Sequence, residues 1–197
     1  MPRIPYVDED DLPDEYQVLQ KREDALPEEI DAEFWNEQPT VLTFSNNPEL
    51  GHAHVTMNTE LWAETGLSAG EVECVILTIA RTLESDYEWH DHVIAALERA
   101  GLSKQTVLAI SNQDPTELDD VHSALSRYAT EFVKKDGSVT EETHNEVANH
   151  FNDETIAGLA ILAGYYVSLV YILRALDITL EEPFVGWKLE NYPVSEP

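Results

Sequence analysis

The stretch Glu71–Val93, EVECVILTIARTLESDYEWHDHV, limits what the chain can fold into more than any other. Its first half is apolar at 72, 74, 75, 76, 77, 79, 80 and 83, so a helix built from it is hydrophobic on nearly every side. Such a helix has no face to give to water and must be wrapped by other elements. Ser68-Ala69-Gly70-Glu71 fits a capping box, in which the serine hydroxyl accepts from a backbone N–H and the glutamate returns the bond. Ser85-Asp86-Tyr87-Glu88 offers a second box and opens a helix to Ala100, with Gly101 as its stop. Glu73 is the one carboxylate between Val72 and Leu83. Across the turn, Glu88 and His92 stand one helical turn apart, on the face they share with Ser85. The expected centre is an acid buried in one helix and a Glu–His pair on the next.

Further helical segments follow the same logic. Asn47-Pro48 opens one that Gly66 ends, with Leu50, His54, Met57, Leu61 and Trp62 as a partial apolar stripe. Ser103 to Ser111 is a short helix, and Asp114-Pro115 starts another through Phe132 to Lys134. Thr140 opens a helix to Phe151, and Asn152 or Asp153 caps a long one ending near Leu176. No run alternates β-branched and polar residues, so the class is all-α. Residues 1–23 are expected as an extended arm, 24–178 as one all-α domain with a short helix at 26–35, and 179–197 as an irregular tail. Phe184, Trp187 and Tyr192 in that tail are expected to pack on the bundle or on a partner subunit. The helices at 71–83 and 154–166 are both nearly uncharged and led by an acid, which suggests a pseudo-repeat of two helical halves.

Thr155 to Leu173 carries no charge and is long enough to cross a bilayer. Tyr165, Tyr166 and Ser168 interrupt it, and only Arg174 follows closely, which gives no positive-inside asymmetry. It reads as the buried central helix of a bundle, with no membrane partner expected.

Charge narrows the function. The 39 acids against 11 bases give a formal charge of −28. That surface repels nucleic acid and anionic membranes, which are bound by excess Lys and Arg. The acids are spread along the chain and 43% of residues are hydrophobic, so the reading is a folded core under an acidic coat of the halophilic kind. Cys74 is the single cysteine, which rules out an intramolecular disulfide or a dithiol centre within this chain. Its neighbours Val75 and Ile76 mark it as a small buried hydrophobe. No basic start leads into an apolar run, so the expected location is the cytoplasm.

With the elements at 68–101 in view, the sequence resembles the carboxymuconolactone decarboxylase family, which includes the alkyl-hydroperoxidase D proteins. The resemblance spans roughly residues 45–178 and includes GLS before the first helix, VILTIAR within it and ALERAGLS after the second. It implies an alkyl-hydroperoxidase D-like helical bundle. The family places a Glu in a buried helix, then a Cys-x-x-Cys-x-x-x-His motif at the start of the next. Here Glu73 holds the first place, Ser85 and Glu88 stand at the cysteine positions, and His92 matches the histidine. The departure removes the redox pair, because peroxide reduction by this motif needs nucleophilic sulfur. The decarboxylase branch instead carries a Glu four residues before the His, as Glu88 and His92 do.

The resemblance implies a proton relay at a pocket between helices. A buried carboxylate beside an imidazole suits this, since burial raises the one and the other titrates near neutrality. The expected roles are His92 as proton donor or acceptor, Glu88 to orient it and Glu73 as relay or second base. Ser85, Tyr87, Trp89 and Arg81 are expected to contact substrate, Arg81 as the cationic grip that an acidic protein needs for an anion. His90 is expected in solvent. No cofactor is expected, and no metal, because His90 and His92 point apart on a helix. The expected activity is cofactor-free acid–base chemistry on a small carboxylic acid or lactone, in a homo-oligomer between dimer and hexamer. A non-catalytic binding relative and a peroxidase dependent on Cys74 stand as alternatives, and Ser85 with Glu88 could be a helix cap alone.

Overall fold

The computed structural model describes residues 2–7 and 39–192. Among them are eight α-helices, one 3₁₀ turn and no strand. The short helix expected at 26–35 and most of the N-terminal arm lie outside the described residues. The chain divides into two compact units, Met1–Glu64 with Tyr171–Thr179, and Thr65–Val170 with Leu180–Pro197. The end of the last helix groups with the arm because Arg3 donates its backbone N–H to Leu176 O at 2.8 Å and a guanidinium N–H to Ala175 O at 3.0 Å.

The first unit holds α1 (Pro39–Phe44) and α2 (Pro48–Glu64). Asn47 caps α2, accepting the Leu50 N–H at 3.3 Å. The stripe read on α2 is only partly realised: Leu61 is buried, whereas Leu50 is 66% and Met57 42% exposed.

The second unit is built on α3 (Ala69–Leu83). Both halves of its capping box form: Ser68 Oγ accepts from Glu71 N at 3.4 Å and Glu71 Oε2 accepts from Ser68 N at 2.6 Å. Every residue from Val72 to Ala80 is buried. Such burial follows from the all-round apolar sequence. Glu84 takes a left-handed conformation (φ 53°), and Ser85 N donates to Ala80 O at 2.8 Å, closing α3 in a tight reversal. α4 (Asp86–Glu98) therefore runs back along α3.

α5 (Lys104–Ser111) and α6 (Asp120–Lys134) also pack on α3. The single helix expected from Asp114 to Lys134 is broken. Asp114 caps only the 3₁₀ turn Pro115–Glu117, Leu118 is extended, and Asp119 starts α6 by accepting from Val121 N and His122 N. Two Asp residues compete as caps, and the second one holds the longer helix. α7 (Glu141–Ala148) and α8 (Asp153–Leu176) follow.

An 18-residue window of α8 has a mean hydropathy of 2.1, enough by length and composition to cross a membrane. Leu159, Leu162, Ala163, Tyr166 and Val170 along it are buried in the protein, while Ile161 is 51% exposed. Gly158 is required where α8 passes Thr65, since a Cβ would lie 2.8 Å from the Thr65 carbonyl oxygen. The echo between α3 and α8 ends with the helices: α4 follows α3, but irregular chain follows α8 to residue 192, so no second helix pair completes a repeat.

That irregular chain is strapped down within the second unit. Trp89 Nε1 donates to Gly186 O at 3.2 Å, Ser111 Oγ donates to Trp187 O, and Tyr192 OH donates to Glu98 at 3.0 Å. The Trp187 ring lies 5.4 Å from Trp89 and 5.1 Å from Phe184, so the tail aromatics do pack on the bundle.

Candidate functional site

Glu73, Glu88 and His92 meet. The reversal at Glu84–Ser85 lays the first turns of α4 beside the middle of α3, and His92 Nδ1 comes within 2.9 Å of Glu73 Oε2. On the other side of the ring, Nε2 lies 3.7 Å from Glu88 Oε2, within ion-pair reach but too long for a hydrogen bond. The imidazole thus sits between two carboxylates, one on each nitrogen. The Glu73 side chain is fully buried, Glu88 is 5% exposed and His92 12%. Only one oxygen of Glu73 is engaged: Oε1 is buried and has no hydrogen-bond partner among the described residues.

Burial works against the charge on each of these groups, and their neighbours decide the outcome. Burial pushes Glu88 up to about 7, with His92 pulling it down and Asp91 and Glu73 adding to the rise. Burial alone would lower His92. The charge and hydrogen bond of Glu73, then the charges of Glu88 and Asp91, outweigh it and hold the imidazole at about 9. These shifts favour an imidazolium donating Nδ1–H to Glu73, with Glu88 opposite Nε2 drawn toward its protonated form. Glu73 thus takes the Nδ1 side of the ring and Glu88 the Nε2 side. Asp91, half-buried on α4, is raised to about 6 by burial, with His92 and His90 opposing and Glu182 reinforcing.

The expected substrate contacts fare differently. Ser85 is buried at the start of α4 but its side chain makes no cap bond, so the second capping box does not form and Glu88 turns inward instead. The cap reading of this pair is thereby overturned. Trp89 is fully buried against the tail, its indole N–H committed to Gly186. Arg81 donates Nε–H to Ser111 O at 2.8 Å and lays its guanidinium 4.8 Å from the Trp187 ring centre. Its Nε–H and the face of its guanidinium are thus engaged by the end of α5 and by the tail. Tyr87 is buried, but the ring that meets His92 is Tyr166 of α8, edge-on at 5.3 Å. Tyr166 was read from sequence only as an interruption of an apolar run.

His90 is not in solvent. It is 4% exposed, accepts the Val185 N–H at Nδ1 (3.0 Å) and faces Glu182 Oε1 from Nε2 at 3.1 Å. The tail covers it, which the local sequence could not show. His90 is thus turned to the tail while His92 faces Glu73.

Cys74 is fully buried, its thiol set 3.6 Å from His122 O. Burial and the Asp119 charge push that thiol far above its ordinary range, which disfavours the thiolate that a peroxidase built on Cys74 would need.

An all-α unit that buries a Glu–His–Glu constellation between two antiparallel helices defines the class of protein. Residues 48–131 match the model of the carboxymuconolactone decarboxylase family. The matched segment contains Glu73, Glu88 and His92. The comparison with curated proteins produced no match.

Proposed function

We propose that the chain is a cofactor-free proton-transfer enzyme of the carboxymuconolactone decarboxylase type, acting in the cytoplasm as a homo-oligomer on a small carboxylic acid or lactone. The observation that supports this is the His92 ring held by Glu73 at 2.9 Å with Glu88 opposite Nε2 at 3.7 Å. A general acid works best when its partners hold protons near the working pH, and Glu88 at about 7 meets that condition.

The reaction named by the family has a definite balance. The bond to the departing carboxylate breaks, carbon dioxide leaves, and the bonding pair enters the unsaturated lactone as a dienolate. His92 Nε2–H then returns a proton to carbon, and Glu88 and solvent restore it. Run without carbon dioxide loss, the same relay shifts a proton within an unsaturated lactone. Tyr166, edge-on to the His92 ring at 5.3 Å, shields that side of it from water.

The test is proton exchange in heavy water, followed by NMR, on carboxymuconolactone and on simple unsaturated lactones. Wild type is expected to incorporate deuterium, and His92→Asn to lose about 10²–10⁴-fold in rate. Equal exchange by the two proteins sinks the relay. Binding without exchange by either identifies the non-catalytic relative.

A further inference from the structure

The charges around the site bear on which ligand it takes. The charged groups that act on His92 are Glu73, Glu88 and Asp91, and those that act on Asp91 add His90 and Glu182. His92 is the one cation among them when His90 is neutral, and its Nδ1–H is already given to Glu73. His90 accepts a backbone N–H at Nδ1, which keeps that nitrogen unprotonated. Arg81, the nearest cation in sequence, is held by Ser111 O and the Trp187 ring. Against this acid excess stands one unused group, Glu73 Oε1, which is buried and without a partner among the described residues. A buried carboxylate oxygen in that state is an acceptor in want of a donor. His92 is the most exposed of the three side chains, at 12%.

We propose that the Glu73–His92–Glu88 site takes a small ligand that is uncharged or cationic and places an N–H or O–H on Glu73 Oε1, in preference to a carboxylate anion. This rests on the reading of these residues as the working site, and of its two substrate classes it selects a hydroxylated or aminated lactone over a lactone acid. An anion would meet Glu73, Glu88 and Asp91 with only the His92 ring, already held by Glu73, to pair with. A donor satisfies Oε1 and leaves the His92 bond intact.

The probes are three butyrolactones of nearly one size: the α-hydroxy lactone, the α-amino lactone and the γ-carboxylate. Binding to the full chain is followed by calorimetry and by the NMR shift of the His92 ring, at a pH above the titration of Glu88. The hydroxy or amino lactone should move the His92 resonance and bind at least about tenfold more tightly than the carboxylate, the gap expected of about 1.4 kcal/mol. In Glu73→Gln an amide N–H can face the ligand, and the preference should narrow or invert. Equal or tighter binding of the carboxylate to wild type overturns the proposal. So does the absence of a His92 response to either donor, which would leave Oε1 to a buried water. Wild type alone decides the matter if Glu73→Gln does not fold. Because binding is read without turnover, a failed relay and a failed ligand assignment give different results.

Discussion

Glu73→Gln keeps the shape of the buried side chain and removes the charge that keeps His92 protonated. His92 stands at about 9 against an ordinary 6.5, a difference of 9 − 6.5 = 2.5 pH units. At ~1.4 kcal/mol per unit this is a preference for the imidazolium of roughly 3 kcal/mol, with burial opposing and Glu73 the largest favourable contributor. Loss of an opposite charge at this range moves a titration by about 1–3 pH units, so His92 should titrate that much lower in the variant. The sign for stability follows. A group raised on folding contributes below its unfolded value of 6.5, and that contribution is lost as pH rises through about 9. Wild type should therefore lose stability between about pH 6 and about pH 10, and Glu73→Gln should lose less. Repulsion within the acidic coat weakens both proteins alike on that side, so the difference between their slopes isolates the His92 pair. The assays are an NMR titration of the seven histidines, with His92 assigned by substitution, and denaturant melts at the two pH values. A His92 midpoint within about half a pH unit of wild type, or an unchanged slope of stability with pH, would refute the argument that Glu73 sets this ring.

Glu88→Gln tests the other side of the imidazole. Glu88 is raised from 4.5 to about 7, so its contribution is present below 4.5 and lost as pH rises through about 7. The variant should gain about 1–3 kcal/mol relative to wild type at about pH 8 in chemical denaturation, less whatever its ion pair with His92 contributes; a loss at that pH shows the pair outweighing the buried charge. Trp187→Ala removes the ring that holds Arg81 and touches Trp89 and Phe184, and should cost about 2–4 kcal/mol with a red shift of the remaining tryptophan emission. Unchanged stability and emission would mean that the tail is not anchored there. With a formal charge of −28, the melting temperature should climb as salt rises from about 0.1 M to about 1 M, where the screening length falls from ~10 Å to ~3 Å. A flat or falling curve rejects the screened acidic coat. Light scattering in that high-salt buffer should show an oligomer, and a single monomeric species contradicts the assembly.

Local structure was legible because it depends on neighbours in sequence. The all-round apolar pattern at 72–83 dictates burial, and the Ser68–Glu71 box closes within one turn of chain. Glu88 and His92 share a face because residues four apart on a helix must. The second box at Ser85 has the same letters as the first yet does not form, since the inward face of α4 claims Glu88 for His92. The break at Leu118 was hidden by two good caps standing close together, with nothing local to rank Asp114 against Asp119.

Contacts between distant segments were another matter. His90 lies two residues from His92 and is as polar, but its surroundings come from residues 182 and 185, more than ninety positions away (185 − 90 = 95). Arg81 looked available until Ser111 and Trp187 claimed it, and Tyr166 met His92 only because α8 crosses there. By itself the sequence determined that α3 is a helix and is buried, and that an acid lies within α3 while a Glu–His pair opens α4. Only the tertiary structure decided that Glu73 takes Nδ1, that Glu88 faces Nε2 and that the nearest arginine is spent elsewhere. The reason is geometric: periodicity fixes the direction of a side chain from its own helix, whereas the atom it meets depends on how another helix crosses it.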